Sequence, residues 1–332
     1  MLLAPIAVPP RVPPPTLRRR RRASSSGLPA ALALAVALVA ATLAVDMVVT
    51  LARPPARHPA VINVGASPAP TNQPAADGAQ LVVAGLDPSA CRAYRPTGAA
   101  NGRTVFLDAG HGGPDPGGSG ELNDGTPVVE KVATLAVAGY LSQRLRAQGY
   151  RVVLSRTGDT AVTQLTDADL DSGSMRGSAL HRDLLARIAC ANASAADALV
   201  AIHFNAFDDS SATGAETFFD PARPFAGRSR ALAESLQAAL VAELRLDDRG
   251  VTSDEDLSAP TITDAGAAYG HLIELGPRDA GWVDTPSAMP GALVEPLFLT
   301  APDEAVLAAR ADGQARIARA LADGLGGYFS RS

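Results

Sequence analysis

The sequence contains few of the residues that mark several common kinds of site. It has only two cysteines, Cys91 and Cys190, and no C-x-x-C pair of the kind that holds structural zinc. No Gly-Lys-Ser/Thr ending follows its glycine-rich stretch at residues 109–120, which argues against a phosphate-binding loop. The acidic residues between positions 157 and 178 lack EF-hand spacing, which argues against a calcium loop there.

Positive charge is scarce outside the N-terminus. The 332 residues include 29 Lys and Arg against 34 Asp and Glu, and Lys131 is the single lysine. Eight of the arginines, but only one acid, fall within residues 1–60, so the remainder of the chain is strongly acidic. This charge argues against a nucleic-acid partner recognised through bulk electrostatics. Aromatic residues make up only 4%, but a hydrophobic content of 47% is ample for a packed core.

The N-terminus has the pattern of an export signal. Five consecutive arginines at 18–22 precede 19 uncharged residues at 27–45, and the apolar character continues past Asp46 to residue 52. Basic residues before an apolar segment keep the N-terminus in the cytoplasm. The run is close to the roughly 20 residues that span a bilayer. We predict a basic N-terminus at 1–26 and a signal anchor at 27–52, with a cleaved signal peptide as the alternative.

Composition divides the remaining chain into a linker and a single domain. Residues 53–79 are rich in Pro and Ala and show no period, so we predict an extended linker there. From residue 80 to 329, strand and helix patterns alternate, which predicts an α/β domain with a mostly parallel twisted sheet flanked by helices. The predicted strands are 105–107, 151–155, 198–202, 215–219, 271–275 and 291–294; the predicted helices are 130–147, 180–195, 229–243 and 303–325.

Three polar side chains stand at the ends of these elements. His111 lies in the glycine-rich loop after the first strand, Glu130 opens the next helix, and His203 ends another buried strand. Open α/β sheets bind ligands at the carboxyl ends of their strands. Two imidazoles and one carboxylate suit zinc, with a fourth position left for water. From the residues alone, two alternatives stay open: a helix-start acid explained by the helix dipole, and histidines that only satisfy hydrogen bonds.

Four stretches of sequence occur in an order that carries a family resemblance. They read FLDAGHGGPDPGGSG, VVEKVATLAVAGYLSQRLRAQGYRVVLSRTGD, RIACANASAADALVAIHFNA and MPGALVEPLFLTAPDEAVL. Together, over about residues 104–327, they resemble the zinc-dependent N-acetylmuramoyl-L-alanine amidases of the amidase_3 family. The resemblance implies that His111, Glu130 and His203 bind one Zn²⁺. It also implies that the substrate is peptidoglycan, cleaved between N-acetylmuramic acid and the L-alanine of the stem peptide.

The resemblance leaves two candidates for the catalytic glutamate. The family's signature matches more residues around Glu295, which follows Pro290 and precedes Phe298, than around Glu274 in HLIELG. We therefore predict Glu295 as the catalytic base and expect Glu274 to lie on the preceding strand. Pro296 departs from the small or apolar residue that is usual after this glutamate.

Two other functions remain compatible with the sequence. One is a zinc peptidase that cuts within the stem peptide, because sequence does not fix the scissile bond. The other is a catalytically silent wall-binding or regulatory protein on the same scaffold, which is disfavoured because all four expected positions are filled. Either way, we expect the protein outside the cytoplasm, anchored in the membrane through its N-terminal segment or secreted to the cell wall.

Export also bears on the cysteines and on two long segments. In an oxidising compartment an even pair of cysteines is usually bridged, so we predict a Cys91–Cys190 disulfide, with two separate buried thiols as the alternative. Segments 157–178 and 277–289, the second of which contains Trp282, look longer than the family needs. They are expected to be surface elaborations, or segments that line or cover the cleft.

Overall fold

The computed structural model describes residues 78–257 and 269–331 of the chain. The predicted basic segment at 1–26, the predicted anchor at 27–52 and the linker up to residue 77 lie outside the described residues. Within the described ranges, none of the helices has the length and hydropathy that a bilayer crossing requires.

Twelve strands and five α-helices make up the described part of the domain. The strands are β1 (Ala79–Gln80), β2 (Arg92–Tyr94), β3 (Thr104–Ala109), β4 (Ser119–Glu121), β5 (Pro127–Val129), β6 (Arg151–Leu154), β7 (Leu170–Asp171), β8 (Ser174–Met175), β9 (Ala198–Ile202), β10 (Ala215–Phe219), β11 (Asp248–Ser253) and β12 (Gly291–Glu295). The helices are α1 (Glu130–Ala147), α2 (Gly177–Ser194), α3 (Ala226–Leu244), α4 (Pro302–Ala309) and α5 (Ala311–Phe329). Two short 3₁₀ turns occupy Asp167–Asp169 and Asp254–Asp256.

Eight of the strands form one central sheet in the order β1-β2-β6-β3-β9-β12-β10-β11. The central strands β6, β3, β9 and β12 run parallel. At one side of the sheet, β2 is antiparallel to β6 and β1 is antiparallel to β2. At the other side, β10 is antiparallel to β12 and parallel to β11. The predicted α/β class with a mostly parallel sheet is confirmed.

Helices cover both faces of the sheet because side chains alternate along each strand. Val105 and Leu107 of β3 face a core built with α1, α3, α4 and α5. Phe106, between them, faces a second core that contains Cys91 and Cys190 of α2. The strands are buried on both faces, which explains why their sequences read as short continuous apolar runs.

The carboxyl ends of three neighbouring strands meet at one edge of the sheet. Ala109 pairs with Ile202, and Ile202 pairs with Val294, so β3, β9 and β12 end in register. The backbone N–H of His203 donates to Val294 O at 3.0 Å, which keeps the chain in this register for one further residue. Residues that follow these strands are thereby brought to one edge.

Two predicted elements differ from the structure, and strand β11 was not predicted. Residues 271–275 form turns instead of a strand: the N–H groups of Leu275 and Gly276 both donate to Leu272 O, and Leu272 N–H donates to an Asp254 carboxylate. The predicted helix at 303–325 is two helices, separated at Arg310, whose backbone is extended. Strand β11 escaped prediction because its sequence, DRGVTS, has no apolar run, and only pairing with β10 makes it a strand.

The two long segments lie in different places. Segment 157–178 is only partly a surface loop, because Val162 is fully buried and the small β7–β8 hairpin lies within the segment. Its start touches the glycine-rich loop, because Gly113 N–H donates to Asp159 at 2.8 Å. Segment 277–289 packs along α2, where Trp282 borders a cluster that includes Ile188 and Val283.

The predicted disulfide is present. Cys91, just before β2, is bonded to Cys190 of α2, and both residues are fully buried. The bridge closes a loop with a sequence separation of 99 and fastens α2 to the edge of the sheet that β2 joins. A bridge across so long a loop restricts the unfolded chain strongly.

We predict that removal of the bridge destabilises the domain without changing its fold. Replacing both cysteines with alanine should lower the free energy of unfolding by about 2–5 kcal/mol, the usual range for a native disulfide. Denaturant unfolding of the oxidised chain, the reduced chain and the double variant measures the effect. Reductant should have no effect on the double variant; equal stability of all three forms would contradict the prediction.

Candidate metal centre and active site

Three side chains converge above the carboxyl edge of the sheet. His111 Nε2, Glu130 Oε1 and His203 Nδ1 lie 3.1 Å from one another in all three pairs. His111 follows β3, His203 follows β9, and Glu130 is the first residue of α1. The three side chains are largely buried, with exposed fractions of 8%, 5% and 16% for His111, Glu130 and His203.

The backbone fixes the orientation of the Glu130 carboxylate. Phe204 N–H donates to Glu130 Oε1 at 2.9 Å, and Gly118 N–H donates to Glu130 Oε2 at 2.6 Å. Phe204 follows His203, and Gly118 belongs to the glycine-rich loop. The carboxylate is therefore tied to both chain segments that carry the histidines.

A neighbouring carboxylate fixes the His111 ring. His111 Nδ1 lies 2.8 Å from Asp115 Oδ2, and Asp115 Oδ1 accepts a hydrogen bond from Gly117 N–H at 3.1 Å. A proton shared at Nδ1 leaves the Nε2 lone pair free to face Glu130 and His203. Carboxylates in this position orient metal-binding histidines and raise their basicity.

Two glycines are required by the close approach of the converging side chains. A Cβ atom on Gly110 would lie 2.5 Å from the His203 ring. A Cβ atom on Gly117 would lie 2.6 Å from both Glu130 Oε2 and the His111 ring, and its φ of +68° also favours glycine. His111 itself adopts a φ of +61°, uncommon for a residue with a side chain, so the loop holds its ligand in a turn that few residues accept.

Two buried arginines hold the carbonyl groups of the glycine-rich loop. Arg156 donates to Ala109 O and Gly110 O, both at 2.9 Å. Arg187 donates to Ala109 O at 3.0 Å and to His111 O at 2.8 Å. These carbonyls have no partner in the β-ladder, and a buried carbonyl without a donor destabilises a fold. By donating to them, the two arginines stabilise the tight loop.

Arg187 also joins two carboxylates from different elements. Its guanidinium contacts Asp108 of β3 at 2.8 Å and Asp183 of α2 at 2.8 Å, and all three side chains are buried. Burial alone would raise the pKa of Asp108, but the Arg187 charge holds it below its usual range. Asp183 Oδ1 in turn accepts the N–H groups of Val162 and Thr163 from segment 157–178.

Glu274 belongs to this buried network, next to the triangle of His111, Glu130 and His203. Asp108, Glu274 and His203 place one ligand atom each within 4.8 Å of one another. Burial, and then the neighbouring Asp108 carboxylate, raise the pKa of Glu274 well above its usual range. Glu274 thus places a second buried carboxyl group beside Asp108, and its Oε1 atom has no hydrogen-bond partner among the described residues.

Glu295 occupies a different position. It ends β12 next to β9, which leads into His203; the residue is partly exposed, but its Oε2 atom is buried. Its Oε2 atom has no hydrogen-bond partner among the described residues. Burial, and then the Glu130 carboxylate, raise the pKa of Glu295 well above its usual range, so its carboxylate is a stronger base than a free one.

The His111–Glu130–His203 triangle fits a divalent cation. Three ligands of a tetrahedral zinc ion lie about 3.3 Å apart, given zinc–ligand bonds of about 2.0–2.1 Å. The separations of 3.1 Å are close to this value. The field at the centre also favours positive charge: burial lowers the pKa of His111, but Glu130 and Asp115 together raise it to about 10. A set of two imidazoles and one carboxylate is typical of zinc.

Sequence reasoning named the three converging side chains but missed their supports. Asp115, Arg156, Asp183 and Arg187 were not recognised as parts of the site. One signal was available on α2: Asp183 and Arg187 stand four residues apart on the face that also carries Ala179, Cys190 and Ala191, where an apolar stripe is expected. Charged residues within such a stripe must pair in the interior.

Comparisons with known proteins show the family to which the chain is related. The sequence model of the family described as Amidase_3, N-acetylmuramoyl-L-alanine amidase, matches residues 105–326. The chain is 31% identical to N-acetylmuramoyl-L-alanine amidase LytC of Bacillus subtilis over 228 residues, which is 69% of this chain but 36% of that protein. It is 30% identical to amidase AmiA of Salmonella typhimurium over 247 residues, 68% of this chain and 76% of that protein. The chain thus spans only about a third of the length of LytC.

One solved structure is similar, over its own whole length, to part of this chain. The CwlD amidase of Clostridioides difficile, determined in complex with the GerS lipoprotein, is similar to this chain with a TM-score of 0.53 and 26% sequence identity. The similarity covers 69% of this chain and 100% of that one.

We predict that Gly110→Ala weakens metal binding while the domain stays folded. The new methyl group would displace the His203 ring, and a disturbed ligand set should cost at least about tenfold in zinc affinity, as changes to groups around metal ligands do. Competition with a chelating dye measures the affinity. Gly158→Ala is the matched control because nothing lies within 4 Å of its added Cβ; equal affinity in the two variants would contradict the prediction.

Proposed function

The chain belongs to the amidase_3 family of N-acetylmuramoyl-L-alanine amidases, and we propose that it hydrolyses the amide bond between N-acetylmuramic acid and the L-alanine of the peptidoglycan stem peptide. The observation that carries the proposal is the triangle of His111 Nε2, Glu130 Oε1 and His203 Nδ1. We assign these three residues as the ligands of one zinc ion. A bound zinc ion would polarise the scissile carbonyl and make a water molecule a better nucleophile.

Glu295 is proposed as the general base. It stands beside His203 at the same sheet edge, and its unpartnered Oε2 is available to accept a proton. In hydrolysis the attacking water loses a proton to Glu295, and the same carboxyl group then delivers a proton to the departing L-alanine nitrogen. The raised pKa of Glu295 suits both steps, because a carboxylate with a higher pKa binds the water proton more readily.

Glu274 is proposed as a positioning residue. Its carboxyl group is buried and lies close to Asp108, the carboxylate that Arg187 contacts. A side chain that is only 4% exposed in that position has little access to an attacking water. Its role is to hold the buried network next to His203 in place, and a glutamine of the same shape could replace it.

One exposed apolar side chain lies on the segment that follows a proposed ligand. Phe207, 61% exposed, comes four residues after His203, and its backbone N–H donates to Thr300. We propose that Phe207 provides an apolar contact for the lactyl or peptide part of the substrate, so that recognition is local to the cleft and not due to net charge.

An extracytoplasmic location is part of the proposal. The proposed substrate lies outside the membrane, and the buried Cys91–Cys190 bridge fits an oxidising compartment. The arginine-rich start followed by an apolar run in the sequence supports export. Whether residues 27–52 are retained as an anchor is decided by N-terminal sequencing of the mature protein.

We predict zinc-dependent release of intact stem peptides from purified peptidoglycan. The products should be peptides with a free N-terminal L-alanine and glycan strands with an unsubstituted lactyl carboxyl group, identified by mass spectrometry. A chelator should abolish release, and added zinc should restore it. Fragments cut within the stem peptide would instead identify a peptidase, and binding without release would identify a catalytically silent wall-binding protein.

We predict opposite behaviour for the two glutamates when each is replaced by glutamine. Glu295→Gln should lower kcat by about 10²–10⁴-fold, the usual contribution of a general base, with zinc content and KM little changed. Glu274→Gln should keep activity within about tenfold, because the amide has the same shape and can donate to the nearby Asp108 carboxylate. An active Glu295→Gln beside an inactive, zinc-loaded Glu274→Gln would assign the base to Glu274.

A further inference from the structure

A second cluster of potential metal ligands lies at the opposite edge of the sheet. Asp220 directly follows β10, Asp254 directly follows β11, and His271 belongs to the turn that was predicted as a strand. Because β10 runs antiparallel to β12, the ends of β10 and β11 point away from the edge where Glu295 and His203 lie. The cluster is therefore separate from the candidate metal centre.

The three side chains direct atoms that lack hydrogen bonds toward one another. His271 Nδ1 lies 2.9 Å from Asp220 Oδ2 and 3.6 Å from Asp254 Oδ1, and all three atoms lie within 4.8 Å of one another. Asp220 is 1% exposed and Asp254 is fully buried. None of the three atoms has a hydrogen-bond partner among the described residues, so even the 2.9 Å approach lacks hydrogen-bond geometry.

In each of the two aspartates, the second carboxylate oxygen accepts a backbone hydrogen bond. That bond fixes the direction of the oxygen that has no partner. Asp220 Oδ1 accepts Ala222 N–H at 2.7 Å, and Asp254 Oδ2 accepts Leu272 N–H at 3.0 Å. Each carboxylate thus uses one oxygen to hold a backbone segment and turns the other toward His271. Buried polar atoms that converge without donors are expected where an ion completes the site.

The charge of the cluster calls for a cation. Asp220 and Asp254 are two buried carboxylates that lie close to each other, and two such carboxylates repel each other. The nearby Arg223 does not pair with either: its guanidinium donates to the carbonyls of Leu275 and Gly276 and to Ser287. A divalent ion would neutralise both carboxylates at once.

We propose that Asp220, Asp254 and His271 bind a second divalent metal ion, of the zinc class, that has a structural role. Two carboxylate oxygens and one imidazole nitrogen are all accepted by zinc, whereas calcium and magnesium prefer oxygen ligands alone. His271 is 18% exposed at its side chain, so a water molecule can reach the remaining coordination position. The ion fastens the ends of β10 and β11 to the turn that carries Glu274.

Metal counting on the full chain tests the proposal. The chain is saturated with zinc, freed of excess by gel filtration and analysed by inductively coupled plasma mass spectrometry. The wild type should hold two equivalents, and Asp254→Asn and His271→Gln should each hold one. The matched control is His181→Gln, a histidine outside both clusters whose ring nitrogen contacts Trp282 O, and it should keep two.

A second measurement separates this site from the proposed catalytic zinc. In a His203→Ala chain, the single remaining equivalent should disappear when Asp254→Asn is added, and zinc should raise the Tm of the first variant but not of the second. One equivalent in the wild type, or unchanged metal content in folded Asp254→Asn, would overturn the proposal. The count does not depend on activity, so failure to digest peptidoglycan would leave the second site standing.

Discussion

The buried guanidinium of Arg187 is the contact on which the rest of the site depends. It binds Asp108 at the end of β3, Asp183 on its own helix, and the carbonyls of Ala109 and His111. Asp108 and His111 lie on either side of the point where the sheet ends and the ligand loop begins. Removal of one partner from a buried ion pair costs about 3–5 kcal/mol, because the other charge is left without compensation. Loss of Arg187 would release the loop carbonyls and also leave the buried carboxylates of Asp108 and Asp183 without their counter-charge.

The arrangement explains how a loop made largely of glycine holds a ligand in one place. A glycine-rich segment loses much conformational entropy on folding, so its order must come from its neighbours. Here Arg156 and Arg187 fix its carbonyls, Lys131 donates to Gly113 O, and Glu130 accepts from Gly118 N–H. The loop is therefore held along its length by the helices on either side of the sheet.

Sequence patterns predicted the converging side chains because these depend on local signals. A short apolar run followed by a histidine fixes where a buried strand ends, and an acid before an amphipathic helix fixes where the helix begins, which placed His111, His203 and Glu130. The Glu274 segment was wrongly predicted as a strand because HLIELG has strand composition. Its turn is set by Asp254, from a distant part of the chain, and no local pattern contains that contact.

The supporting charges escaped prediction for a related reason. Arg187 and Asp183 look like an ordinary surface pair four residues apart, and only the packing of α2 against the sheet buries them. Strand β11 likewise exists because β10 offers it a partner. Contacts between elements distant in sequence thus decided what local propensity left open.

The close contact between the His203 ring and Gly110 gives a criterion for comparing related sequences. Any side chain at that position competes with the imidazole for the same volume, so a chain of this fold cannot carry both a larger residue there and an undisturbed ligand set. Position 110, together with position 117, then works as a marker when related sequences are sorted. If a related chain retains both histidines and the glutamate but has replaced either glycine, its three side chains cannot converge as they do here.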